Sequence, residues 1–234
     1  MNEETARLRG VVAAALAAHD KPSAVRAAVE AVSQGRVSVP GLYRDVLAPV
    51  LDEVGAEWQA GSRRVWDEHL ASAAVRTIVE LVYPAVLKVK AAVAPAGKSV
   101  LLACPPQEAH DLGLRMLADR FEMAGWTAYF LGADTPPEEL ADAARALGVD
   151  AVALSSSTHF HRVGLRHLVD GLRRELPGVS VWVGGPAFAR ERGGWSDEEV
   201  LDVERLLGET AAVGERATDG EAGDDGTAPP EASG

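Results

Sequence analysis

Val100-Leu101-Leu102-Ala103-Cys104-Pro105-Pro106-Gln107-Glu108-Ala109-His110-Asp111-Leu112-Gly113 is the stretch that decides the fold. Its first three residues are continuously apolar, as in a parallel-sheet strand covered on both faces. Leu114, Leu117, Phe121 and the alanines at 118 and 124 then recur at helical spacing. His110 is therefore expected at the carboxyl end of a first strand, where open α/β sheets hold their ligands. Glu108, two residues earlier, can accept the proton of one ring nitrogen and leave the other free to bind a metal.

The same alternation continues outward from this stretch. Apolar runs predict strands at 98–104, 127–132, 151–155 and 179–183, with helices at 110–124, from 135 onward and at 162–176. Thr135 is expected to cap the second of these helices, with Pro136 at its first position and Glu138 completing a capping box. Ser196-Asp197-Glu198-Glu199 is expected to start a last helix ending at Gly208. Repeated β-α units imply a parallel sheet flanked by helices over residues 98–208, a Rossmann-like or flavodoxin-like α/β domain.

Ahead of it the pattern is helical throughout. Leu8, Val11, Val12 and Leu16 mark a first helix, and Val25, Ala28, Val29 and Val32 a second. A third carries Leu42, Val46, Val50, Val54 and Trp58. The fourth carries Trp66, Leu70, Ile78 and Leu81 until Pro84 disturbs it. Four amphipathic helices with short connections predict a four-helix bundle over 5–88, followed by a small-residue linker at 89–97. Residues 209–234 are dominated by glycine, acid and proline and are expected to stay disordered.

Composition narrows the function classes. The chain is 47% hydrophobic and 25% charged, ordinary for a globular protein, and no apolar run approaches the ~20 residues needed to span a bilayer. The N-terminus lacks the basic start and apolar core of a secretion signal. A lone cysteine, Cys104, excludes an internal disulfide and fits a reducing, cytoplasmic setting. Net charge is −12, and the tail supplies half of it with seven acidic residues against one arginine. Such a chain is poorly suited to neutralising phosphates, so direct nucleic-acid binding is not expected.

Glu108-Ala109-His110-Asp111-Leu112-Gly113 is similar to the Asp-x-His-x-x-Gly signature of cobalamin-binding domains. In that family a serine motif and a Gly-Gly pair follow at set distances. Here 41 residues separate Gly113 from Ser155, and 26 separate Ser157 from Gly184-Gly185. Glu108 stands where the family usually has Asp, and Ser157 where it usually has Leu. The resemblance implies that His110 ligates cobalt in place of the cofactor's own benzimidazole, with Glu108 setting its tautomer. It further implies that Ser155 bonds the nucleotide loop and that Gly184 and Gly185 admit the inserted tail. The two histidines near residue 160 are expected to belong to a loop lining that tail.

A second group sits in the helical half. Nine residues separate Trp58 from Glu68-His69, and the stretch resembles the Trp-x9-Glu-His pattern of bundle caps in adenosylcobalamin light sensors. That resemblance implies an upper wall of Trp58, Val65, Glu68 and His69 over an adenosyl group, and together the two likenesses cover about residues 5–190. Gln59 stands where some of these sensors carry a second histidine. The N-terminal MerR-type DNA-binding domain usual in such sensors is expected to be absent. The expected function is thus a non-enzymatic cobalamin sensor, responsive to light and signalling through a separate regulatory protein. Adenosylcobalamin is the expected form, with methylcobalamin and a homo-oligomer left open. The alternative is a corrinoid methyl-carrier subunit of a methyltransferase system.

Overall fold

The computed structural model describes residues 3–158, 162–188 and 194–207. The loop at 159–161, with its two histidines, and the acidic tail at 209–234 lie outside the described residues.

Uninterrupted apolar sequence places β1 (Ser99–Ala103) and β3 (Ala151–Ser155) at the centre of a parallel sheet, with every inward position closed to solvent. β2 (Thr127–Gly132) and β4 (Ser180–Gly184) lie outside them, giving the order β2-β1-β3-β4. The chain leaves β1 for β2 on one side and then crosses to β3 on the other. The carboxyl ends of β1 and β3 therefore flank a topological switch point, where a crevice opens in sheets of this kind.

Alternate residues along the strands feed two cores. Leu101, Val152 and Leu154 pack under α7 (Pro137–Leu147) and α8 (Arg162–Glu175). Val100, Leu102 and Ala153 pack under α6 (Leu112–Met123), against Phe121 and Trp126. The short α9 (Val203–Leu207) closes that second face through Leu207.

The helical half comprises α1 (Glu3–Ala17), α2 (Lys21–Ser33), a composite third rod and α5 (Val65–Ala92). The rod begins with α3 (Val39–Gly41), widens into a π-helix over Leu42–Leu47 and continues as α4 (Ala48–Gln59). Asp20 accepts the Ser23 amide at the start of α2, and Ser38 accepts that of Gly41 at the start of α3. Ala24, Ala28 and Ala31 give α2 a small inward face that lets it approach α5 closely.

Several local expectations need correction. Pro84 does not end α5, which runs to Ala92 and takes up part of the expected linker. The carbonyl that Pro84 leaves without an amide belongs to Glu80, and both residues face solvent, where water satisfies it. α5 is also long and apolar enough to cross a membrane by length and composition, alone among the described residues. Its Ala74, Val75, Ile78, Val79 and Val82 face is buried in the bundle core. The capping box at Thr135 does not form, because Pro136 takes the cap position and the Thr135 amide donates to the Cys104 carbonyl. Residues 197–199 form a turn, and the last helix starts only at Val203.

The two halves meet along α5 and α6. Met116 and Met123 of α6 enter the bundle core. Beside them Asp119, fully buried, accepts from the Tyr43 hydroxyl at 2.6 Å and from Arg115. Arg115 also bonds Glu80 and lies over the Tyr83 ring. Tyr43 stands in the π-helix, buried in the bundle core, with its hydroxyl reaching α6. Burial pushes the Asp119 carboxyl up, against its bonds to Tyr43 and Arg115.

Candidate functional site

The loop after β1 is built to hold one imidazole. Gln107 adopts a left-handed backbone (φ +67°), uncommon for a residue with a side chain, and its amide is fastened to Asp134 Oδ1 at 2.7 Å. The Asp134 amide in turn donates to the Glu108 carbonyl, and the Thr135 amide to that of Cys104. The loop after β2 thus clamps the loop after β1. Cys104 is buried and burial raises its thiol to about 12, so it is packing and not a nucleophile.

Within the clamped loop Glu108 is 1% exposed and His110 is 67% exposed. The Glu108 Oε1 accepts from the His110 ring Nδ1 at 2.6 Å and from the His110 backbone amide at 3.0 Å. Its Oε2 accepts from the Ser157 amide and the Ser157 hydroxyl, both at 2.7 Å. Ser157 Oγ also lies 3.2 Å from His110 Nδ1. Burial opposes ionisation of Glu108, yet the donors from His110 and Ser157 outweigh it and hold the carboxyl at about 2. An ionised carboxylate only accepts, so Nδ1 carries the proton and Nε2 keeps its lone pair. The bond to Glu108 raises the His110 pKa against the effect of burial, with further help from the charges of Glu68 and Asp111.

Ser157 comes from the end of β3, so the triad of Glu108, His110 and Ser157 spans the switch point. Ser155 and Ser156 are buried instead, and the Ser156 amide donates to the Gly184 carbonyl. Gly185 has φ +94°, and a side chain there would start 2.6 Å from the Ser156 carbonyl oxygen and 2.8 Å from Ser155 Oγ. Gly113 and Gly184, by contrast, have open space where a Cβ would stand. Thr158 Oγ1, three residues beyond the end of β3, is buried and has no partner among the described residues.

Trp58 at the end of α4 is 43% exposed, and Val65 and His69 at the start of α5 are also exposed. Glu68 accepts from Ser72 one turn on, lies 3.5 Å from His69 and is near enough to act on His110 through its charge. One turn beyond Ser72, Arg76 donates to Asp111 Oδ1 at 2.5 Å. α5, which carries Val65, Glu68 and His69, packs on α6, which follows the His110 loop. Sequence reasoning did not find Ser157's hold on Glu108, nor Arg76. The first had a signal: a longer acid and a hydroxyl replace Asp and Leu together.

The donor set suits a metal that brings its own equatorial ligands. Among the described residues no group of three His, Cys, Asp or Glu stands together to hold an ion, and a metal held by protein alone needs three or four such ligands. One oriented imidazole, open space at Gly184 and an unpartnered hydroxyl at Thr158 fit a cobalt carried in a macrocycle with a tail.

Comparison with known proteins agrees. A B12 binding domain model matches residues 98–213, and a second B12 binding domain model matches residues 9–83. The HTH-type transcriptional repressor CarH of Myxococcus xanthus is 36% identical over 176 residues, 69% of this chain and 56% of that protein. The HTH-type transcriptional repressor CarA of the same organism is 39% identical over 109 residues, 47% of this chain and 34% of that protein. The chain thus spans about half or less of the curated relatives it matches. The monomethylamine corrinoid protein of Methanosarcina barkeri superposes with a TM-score of 0.65 at 18% identity, over 89% of this chain and 95% of that one. At that identity the likeness is one of fold: helical cap followed by Rossmann-like domain.

Proposed function

We propose that this chain, which belongs to the B12-binding domain family in both its helical and its α/β half, is an adenosylcobalamin-dependent, light-responsive regulator. The observation that carries the reading is the Glu108–His110–Ser157 triad at the switch point, facing Glu68 across the two halves. His110 holds the lower face of the cofactor through Nε2, while Glu108 fixes the ring and raises its basicity. Trp58, Val65, Glu68 and His69 form the upper wall, an aromatic face and two polar groups suited to an adenosyl ligand. The open position at Gly184 and the Thr158 hydroxyl receive the tail. Bound adenosylcobalamin supplies a light-cleavable cobalt–carbon bond. Contacts from Trp58, Val65, Glu68 and His69 would depend on that upper adenosyl group while the hold of His110 would not, and a conformational equilibrium shifts only through contacts that differ between states.

The output class follows from the relatives, both transcriptional repressors. The net charge of −12 over these residues supports an output by contact with a separate regulatory protein over direct contact with phosphates. A catalytic role is not part of this reading; the upper wall favours a sensor over a methyl carrier, which has to present that face to partner enzymes.

Two measurements test the reading. His110→Ala should weaken cobalamin binding and change the electron-spin signature of the Co(II) form; unchanged affinity and signature would remove the ligand assignment. Light scattering on the adenosyl complex, in the dark and after green light, should register a change of mass or hydrodynamic radius. Identical values, with an identical set of captured partners, would defeat the light-sensor reading.

A further inference from the structure

Glu68, Ser72, Arg76 and Glu80 recur every four residues along α5 and form one stripe turned toward the α/β domain. Two kinds of contact fasten that stripe. At the far end Glu80 joins the buried cluster of Arg115, Asp119 and Tyr43, and Lys90 bonds Glu122 at 3.0 Å. Nearer the cap, the tie is Arg76 to Asp111, between a guanidinium that is 47% exposed and a carboxylate that is 11% exposed. Arg76 lies two turns, about 12 Å, beyond Glu68 along the helix axis.

The use made of Asp111 is unusual. It stands immediately before α6, where an aspartate ordinarily accepts the first free amides of the helix. Here it makes no such bond; α6 starts without a side-chain cap, and the carboxylate is turned to Arg76 on the other domain. Asp111 is also the residue directly after His110. The pair therefore connects the helix that carries Val65, Glu68 and His69 to the loop that carries the lower ligand.

We propose that Arg76 is a positioning residue. Through Asp111 it fixes the separation between the wall on the first turns of α5 and the His110 loop, and so discriminates among cobalamins by the size of their upper ligand. This rests on reading His110 as the cobalt ligand and Val65, Glu68 and His69 as the part of the wall that α5 carries. A cobalamin with a bulky upper group needs both faces at one spacing, whereas one with a small upper group is held by the lower face alone.

The test titrates the wild-type protein and the Arg76→Ala, Asp111→Asn, Arg76→Lys and Arg76→Ala/Asp111→Asn variants with adenosylcobalamin and with hydroxocobalamin, by absorption. Hydrogen exchange is followed in the ligand-free proteins. Each single loss variant should bind adenosylcobalamin about two- to fivefold more weakly, the range of an exposed ion pair, with hydroxocobalamin affinity unchanged. The double variant should lose no more than either single one, Arg76→Lys should recover part of the loss, and ligand-free Arg76→Ala should exchange faster at amides 111–115. Equal losses for both cobalamins, additive losses in the double variant, or no loss at all would overturn the proposal. A wild-type protein that binds neither cobalamin would overturn the underlying reading of the site, and the proposal with it.

Discussion

Glu108→Gln changes one atom, and the structure predicts a large effect from it. Each carboxylate oxygen of Glu108 already receives a backbone amide, from His110 on Oε1 and from Ser157 on Oε2. Whichever way the glutamine amide turns, its NH2 therefore meets a backbone N–H donor to donor. The side chain is 1% exposed, so water cannot relieve the clash. On the losing side two charge-assisted bonds disappear, each worth about 1.5 kcal/mol at the low end, or about 3 kcal/mol together. That corresponds to a drop of about 6–12 °C in the unfolding temperature of a chain this long. If the NH2 turns to His110, Nδ1 has to accept, and the ring proton moves to Nε2, the nitrogen reserved for the metal. Cobalamin affinity should then fall about 10- to 100-fold, as for other lost partners of metal-binding histidines. Thermal unfolding of the ligand-free protein, nitrogen chemical shifts of the His110 ring and an absorption titration read the three effects separately. A variant as stable as the wild type, with the proton still on Nδ1, would refute the reasoning.

Tyr43→Phe should cost about 1.5–3 kcal/mol in urea unfolding, since it strips a donor from the fully buried Asp119; a loss below about 0.5 kcal/mol would mean the cluster does not join the halves. Trp58→Ala should reduce adenosylcobalamin affinity more than hydroxocobalamin affinity, and equal losses would count against the upper wall. Glu199 is held at about 2: burial opposes ionisation, but the Ser196 amide and the guanidinium groups of Arg173 and Arg166 outweigh it. Its folded pKa is below the ordinary 4.5, so its contribution is full above pH 4.5 and fades as pH falls toward 2. Protection of the Val183 and Leu201 amides, which pair the C-terminal segment with β4, should fall over that window and stay flat above it.

What the sequence made legible is what is local. The apolar run at Ala151–Ser155 coincides with β3, because a strand buried on both faces leaves a continuous signature in its own residues, and the run at Thr127–Gly132 coincides with the half-buried edge strand β2. The helical stripes of α1, α2 and α4 follow for the same reason. Pro84 reads as a helix end, yet α5 passes through it, because bundle packing outweighs one missing bond on the wet side. Glu108 and His110 were visible as a pair because two residues separate them. Tyr43 and Asp119 lie 76 positions apart and Arg76 and Asp111 lie 35 apart. No periodicity ties such residues together, and only the docking of α5 on α6 does.

The π-helical turn at Leu42–Leu47 sets an evolutionary constraint on its own length. Dropping one residue there would restore ordinary helix spacing, and in a peptide it would count as a gain in regularity. In this protein the wide turn takes up its extra residue without rotating the rod that follows, so the loss would leave Val50, Val54 and Trp58 near their present faces and would fall on the turn itself, on Tyr43 and its bond to Asp119. Lineages carrying this cap should accordingly vary in side chains along the turn but not in its length.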